Sequence, residues 1–362
     1  MTQDILILGA SYGSLLGIKL AMAGHRVTLV CTPSTARLIN RDGTRVRFPI
    51  RGRSDLLEVH SKSLPGQIRA CVPAEVDPSR FALVVLGMQE SQYAADGVMQ
   101  LMQRVAASGK PCVAIMNMPP LPYLQRLGQV ASNGLRRCYS SADIWEEFDP
   151  AVMTLASPDP QAFRPPAEPK NVLQVGLPTN FKVARFESEE APQLLRQLER
   201  DIDAARYVVD GEVVDVPVRL KVHDSGFVPL AKWPMLIAGN YRCVQTDGAI
   251  SIREAVWGDL DASRRIYQWV VDLCLAIGAS PADLVPFDKY AKAAEDLGKP
   301  SSVARALFSG AQSIERVDAL VERIALQRGI HLPELSSIVA RVDERLQRNR
   351  APAEAGDVLE PA

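Results

Sequence analysis

The apolar residues of this chain fall into short runs whose spacing alternates between two periods. Asp4 to Leu8 (DILIL) is continuously apolar after its first residue, the pattern of a strand buried on both faces. Beyond Gly9-Ala10-Ser11-Tyr12-Gly13, the positions Leu15, Leu16, Ile18, Leu20 and Ala21 recur at helical spacing as far as Gly24-His25, and Arg26 to Cys31 (RVTLVC) reads as a second strand. Strand, helix and strand joined this closely predict a βαβ unit with a right-handed crossover. The alternation continues with a strand over Phe81 to Gly87 (FALVVLG), a helix from about Ser91 to Ala107, and a strand over Pro111 to Met116 (PCVAIM) closed by Asn117-Met118-Pro119-Pro120. Strands separated by helical stretches of this length predict a doubly wound sheet.

Downstream the pattern changes. Ser157 to Lys170 (SPDPQAFRPPAEPK) is too rich in proline for a helix interior or a central strand and reads as an exposed loop. Asn171 to Phe186 carries enough β-formers for one or two further strands. From Glu187 onward helices are predicted over about 188–205, 226–240, 262–277, 301–328 and 332–347, with no internal repeat. The expected fold class is α/β: an N-terminal Rossmann-type doubly wound sheet over 1–186, an all-α C-terminal domain over 187–347, and an Ala-, Glu- and Pro-rich disordered tail over 348–362.

Composition changes this picture little. A chain of 362 residues is too long for one ordinary core, which agrees with two domains. Its 41 basic and 42 acidic residues leave a formal charge of −1 with no sustained basic run, which argues against nucleic acid or an anionic membrane as the main partner. No apolar stretch reaches the ~20 residues needed to cross a bilayer. Met1-Thr2-Gln3-Asp4 leads directly into a strand without the basic region of a signal peptide. Six cysteines lie far apart with no C-x-x-C pair and read as buried thiols of a reducing compartment, so the expected location is cytoplasmic. Four histidines without ligand spacing predict no metal site.

The candidate chemistry begins at the first turn. In the G-x-G-x-x-G dinucleotide fingerprint one glycine permits the tight turn, one lets the backbone approach the pyrophosphate, and one lets helix and strand pack closely. Gly9-Ala10-Ser11-Tyr12-Gly13 is one residue shorter and lacks the middle glycine, while Ser11 offers a hydroxyl to a phosphate. The helix that follows would present unpaired N–H groups and the positive end of its dipole. An acidic residue after the second strand favours NAD, and an arginine suits a 2′-phosphate. Residues 31–37 contain no acid, and Arg37 is the nearest cation, so NADP is expected with NAD left open.

At this point the chain resembles the ketopantoate reductase family in four stretches. The first is ILILGASYGSLLGIKLAMAGHRVTLV, followed by Asn40-Arg41-Asp42-Gly43. The second is FALVVLGMQESQY with PCVAIMNMPP, where Asn117 matches the asparagine of the family's Gln-Asn-Gly turn. The third is LAKWPMLIAGNY, where Asn240 matches an asparagine of the family's central helix, and the fourth is KPSSVARALFSG leading to RGIHLPE. The resemblance implies a Rossmann domain, a helical substrate and dimerisation domain, and reduction of a 2-keto acid by hydride transfer from NADPH. A small keto-acid-like substrate is the implied partner, and a homodimer is left open.

The resemblance also assigns roles. A lysine four residues before the helix asparagine polarises the keto oxygen and supplies a proton, but that position here is Leu236. Lys232 lies eight residues before Asn240, with Pro234 between them, and Lys221 is an earlier alternative. In a regular helix those eight residues advance ~80° net against ~40° for four, so both positions share a broad face. Lys232, Asn240 and Asn117 are therefore the expected catalytic residues. Gly9, Ala10, Ser11, Tyr12, Gly13, Arg37, Gln89 and Asn117 are expected at the cofactor, with Met88-Gln89 standing where the family has a lysine. Asn240, Ser301, Ser302 and Glu315 are expected at the substrate, although a helix cap explains the serine pair equally well. Two other readings fit the same residues: a dehydrogenase of imines formed from keto acids and amines, and a non-catalytic dinucleotide sensor.

Overall fold

A computed structural model describes residues 1–128, 130–188 and 191–351 of the chain. They form two compact units, Met1–Lys232 with Cys274–Leu284, and Trp233–Leu273 with the residues from Val285 onward. In the first unit the elements run β1 (Asp4–Leu8), α1 (Tyr12–Met22), β2 (Arg26–Val30), α2 (Pro33–Asp42), β3 (Arg45–Pro49), β4 (Leu56–His60), β5 (Gln67–Cys71), β6 (Leu83–Leu86), α3 (Asp96–Ala107), β7 (Cys112–Ile115), α4 (Leu121–Arg126), α5 (Ala142–Glu146), β8 (Met153–Ser157), β9 (Gln161–Phe163), β10 (Val172–Leu177), β11 (Phe181–Ala184), α6 (Ala191–Ala204), β12 (Tyr207–Val209), β13 (Glu212–Val214) and β14 (Leu220–His223).

Eight of these strands form one sheet in the order β14-β11-β8-β7-β6-β1-β2-β5. All neighbours are parallel except β8 and β11. The run β5-β2-β1-β6-β7-β8 is the doubly wound order, and the winding reverses between β1 and β6. The continuous apolar runs mark the strands covered on both faces: Ile5 to Leu8 and Val84 to Leu86 are fully buried. A second sheet, β4-β3-β10-β9, packs beside the first through α1 and β3.

Several boundaries differ from the sequence expectation for local reasons. The first compact unit continues past Phe186, because Leu220–His223 pairs in parallel with β11 and α6 packs against β14. Among the described residues, the stretch from 187 to 232 thus contains three strands as well as a helix. The predicted helix over 301–328 is two, Ser302–Phe308 and Val317–Gln327, separated where Gly310 adopts φ +87°. The final helix, Pro333–Arg350, includes residues 348–350 of the expected tail; residues 352–362 of that tail lie outside the described residues.

The second unit is helical, with Trp233–Met235, a π turn over Leu236–Asn240, and helices Ile252–Trp257, Leu260–Ala276, Phe287–Ala294, Ser302–Phe308, Val317–Gln327 and Pro333–Arg350. Among the described residues no helix is long and apolar enough to cross a membrane. Cys112, Cys138, Cys243 and Cys274 are buried free thiols, and Cys31 and Cys71 are half-buried.

One buried polar contact at the start of β2 makes stability depend on pH. His25 is 1% exposed; its Nδ1 accepts the Gln3 amide at 3.2 Å, and its Nε2 lies 3.3 Å from Asp201. Burial pushes the imidazole below its ordinary range, against the pull of Asp201. The unfolded chain therefore takes up this proton first as pH falls, so stability is retained above about pH 6.5 and declines below it. Melting temperature is expected to drop between pH 7.5 and pH 5.5 by more in the wild type than in His25→Gln, measured by calorimetry; parallel drops would remove His25 as the cause.

Candidate functional site

The turn after β1 is shaped by backbone that no side chain could replace. Gly9 has φ +101°, and its amide donates to the Val30 carbonyl at 2.8 Å. A Cβ on Gly9 would lie 2.9 Å from the Gly87 carbonyl oxygen and 2.7 Å from Cγ of Met88. A Cβ on Gly13 would lie 2.8 Å from the Ile7 side chain. Gly9 therefore fills the tight-turn role and Gly13 the helix-packing role, while Ser11, at the cap of α1, stands where the missing glycine would be. The turn opens at the carboxyl ends of β1 and β6, where the sheet reverses its winding and α/β sheets of this class bind ligands.

The proline-rich segment, which reads from its composition as an exposed loop, contains β9, paired with β10. It runs across this turn and is tied there by its own carbonyls and side chains. The Tyr12 hydroxyl donates to the Pro160 carbonyl at 2.9 Å, and Arg164 Nη2 donates to the Ala10 carbonyl at 2.8 Å. Lys232 Nζ donates to the Pro158 carbonyl at 2.8 Å and lies 3.2 Å from Asp159 Oδ1. Asp159 also pairs with Lys182 at 3.3 Å. The structure therefore ties Tyr12 and Lys232 to carbonyls two residues apart on one strap, within the first unit. Lys221, by contrast, pairs with Asp203 at the sheet edge.

The other positions expected at the cofactor are not tied to this turn by any of the contacts above. Asn117 follows β7 and is half-buried, Gln89 follows β6 and is exposed, and Arg37 is exposed on α2. Beside Gln89, Glu90 is 1% exposed; its carboxylate accepts the Ser140 amide at 3.0 Å and the Trp145 indole N–H at 3.3 Å. Burial raises its pKa against those hydrogen bonds. Glu90, Asp159 and Arg164 were not legible beforehand. The first looks like a surface acid next to a strand, and the other two lie in a segment whose prolines suggest no structure.

In the second unit the helix around Asn240 is irregular. Trp233–Met235 gives way to a π turn over Leu236–Asn240, so an angular count based on a regular helix does not apply between Lys232 and Asn240. Leu236 is buried. The close packing is enforced at Gly239, where a Cβ would fall 1.9 Å from the Tyr290 hydroxyl, which itself donates to the Met235 carbonyl at 3.1 Å. The Asn240 carbonyl accepts the Ser301 hydroxyl at 2.7 Å, and Ser301 Oγ in turn accepts the Ala304 amide at 3.1 Å. Glu315 is buried, and its carbonyl accepts the Tyr241 hydroxyl. The Asn240 backbone is thereby tied to Ser301, and Glu315 to the neighbouring Tyr241, whereas Ser302 is exposed.

With this geometry in place, the whole chain can be set beside solved structures. A 2-dehydropantoate 2-reductase from Methylococcus capsulatus superposes with a TM-score of 0.66 at 14% identity, covering 97% of this chain and 98% of that one. The fold is that of the ketopantoate reductases. A ketopantoate reductase from Ralstonia eutropha gives 0.62 at 16% identity over 96% of this chain and 100% of its own. A D-mandelate dehydrogenase solved with NADH and anilino(oxo)acetate gives 0.64 at 14% identity over 96% and 100%. No protein-family model and no curated protein sequence matches the chain. The resemblance carried by four sequence stretches is thus a resemblance of the entire ketopantoate reductase fold.

The Ser301 hydroxyl already caps Ser302–Phe308 and holds the end of the π turn. Ser301→Ala is expected to lower unfolding free energy by about 1–2 kcal/mol, through loss of the cap and an unpaired carbonyl. Ser302→Ala is expected to change it by less than about 0.5 kcal/mol. Denaturant midpoints read both.

Proposed function

We propose that this protein is an NAD(P)H-dependent oxidoreductase that reduces a 2-keto acid. The observation that carries the reading is the glycine turn at the reversal point of the sheet, crossed by a strap that also holds a lysine–aspartate pair. The turn fits a dinucleotide: Gly9 and Gly13 leave no side chain between β1, α1 and the peptide after β6, and α1 begins at the opening. Support also comes from the neighbours of the same fold, among them reductases of ketopantoate and a D-mandelate dehydrogenase solved with NADH.

Gly9 to Gly13 would hold the pyrophosphate, with Gln89 and Asn117 at the ends of β6 and β7 on the nicotinamide side. Bound there, the reduced dinucleotide supplies a hydride. The protein must then provide a donor where charge develops on the carbonyl oxygen, and a proton. Lys232 is the residue assigned to both tasks. Its amine is half-buried and already donates to one carbonyl oxygen, that of Pro158, beside the Asp159 carboxylate. Asn240, Ser301 and Glu315 are assigned to the substrate in the helical unit.

Purified protein given NADPH or NADH and a panel of 2-keto acids that includes ketopantoate is expected to consume the reduced nicotinamide. Lys232→Met is expected to lower kcat at least about 10²-fold while nucleotide affinity stays within about twofold. Absence of turnover with every keto acid would defeat the reading, and full activity of the variant would remove Lys232 from it.

A further inference from the structure

The second strand of a dinucleotide fold ends at the group that reads the adenosine ribose: an acid for free hydroxyls, an arginine for a 2′-phosphate. Here the residues from Cys31 to Arg37 contain no acid, and Arg37 itself points from the exposed side of α2. The cation that reaches this corner comes from the other side. Arg164, 154 residues from Ala10 in sequence, crosses from the strap and donates through Nη2 to the Ala10 carbonyl. It is close enough to Cys31 for its charge to draw the thiol down, although burial still pushes that thiol up to about 11. Its guanidinium therefore lies across the carboxyl ends of β1 and β2, on the adenosine side of the turn.

Two features of this arrangement point to a ligand. The Arg164 Nε is buried and has no hydrogen-bond partner among the described residues. Buried donors of a guanidinium are ordinarily paired, and a phosphate accepts from the whole fork. The exposed hydroxyls of Thr32 and Ser34 stand 3.4 Å apart at the start of α2, whose first turn directs N–H groups to the same corner. A cation, two hydroxyls and a helix start suit a phosphate monoester dianion; they offer no carboxylate to a free ribose.

We propose that Arg164 is the residue that recognises the 2′-phosphate of NADP, with Thr32 and Ser34 beside it. The assignment rests on the dinucleotide reading above and deepens it. It makes the strap a specificity element of the cofactor site and leaves Arg37 a surface residue.

The test is equilibrium binding of NADPH and NADH, followed by nucleotide fluorescence in the wild type, Arg164→Met, Arg164→Lys and Arg37→Ala. The wild type is expected to prefer NADPH. Arg164→Met is expected to weaken NADPH at least tenfold while NADH changes less than twofold, and Arg164→Lys to retain an intermediate preference. Arg37→Ala is expected to leave both affinities unchanged. Equal loss of both nucleotides in Arg164→Met would place this arginine at the pyrophosphate or in the fold, and would overturn the proposal, as would selective loss in Arg37→Ala. Should Arg164→Met fail to fold, the decision falls to Arg164→Lys and to competition by 2′,5′-ADP against 5′-ADP on the wild type, where equal potency overturns it. Failure of the wild type to bind either nucleotide would instead defeat the dinucleotide reading itself.

Discussion

Three backbones meet after β1 at distances that leave no room for a side chain. The Gly87 carbonyl occupies the space a Cβ on Gly9 would need, and Ile7 occupies that of Gly13. Because these contacts join β1 to its neighbour β6 and to α1 at the place where the sheet reverses, they fix the crevice and the start of the helix together. A substitution at Gly9 would meet both a positive φ and a carbonyl oxygen, so local accommodation is closed to it. The strap that holds Lys232 is tied to this turn at Tyr12 and Ala10.

How much of this was legible depended on whether the signal was local. The βαβ unit could be read because its strands are buried on both faces and its helix is apolar almost all round; even Lys19 of α1 is 1% exposed. The second sheet was missed because β3 and β4 are short, carry Arg45, Arg47 and Glu58 on one face, and are joined to β10 by pairing across more than a hundred residues. Pattern reading has no access to such a partner. The first unit's extension to Lys232 was hidden for the same reason, since Leu220–His223 becomes a strand through its alignment with β11.

The site divided along similar lines. Gly9 and Gly13 announce themselves because glycine in a strand–helix turn has few other uses. Ser301 and Asn240 could be named, but not their relation, in which one caps a helix and holds the carbonyl of the other. Arg164 and Asp159 stayed invisible because their significance lies in what the chain crosses, not in their neighbours in sequence. The irregular turn ending at Asn240 likewise follows from the Tyr290 hydroxyl lodged against Gly239, a contact between segments about fifty residues apart.

The prolines that obscured the strap also give it a mechanical character. Pro158, Pro160, Pro165, Pro166 and Pro169 restrict the backbone before folding, so little freedom is lost when the segment is laid down and little slack remains afterwards. A span of nearly fixed length that grips Lys232 at Pro158 and Tyr12 at Pro160 behaves as a linkage more than as a loop. Displacement at one end is transmitted to the other. The amine and the glycine turn therefore share one short span, and a change of length between Ser157 and Arg164 would shift the anchor points of both.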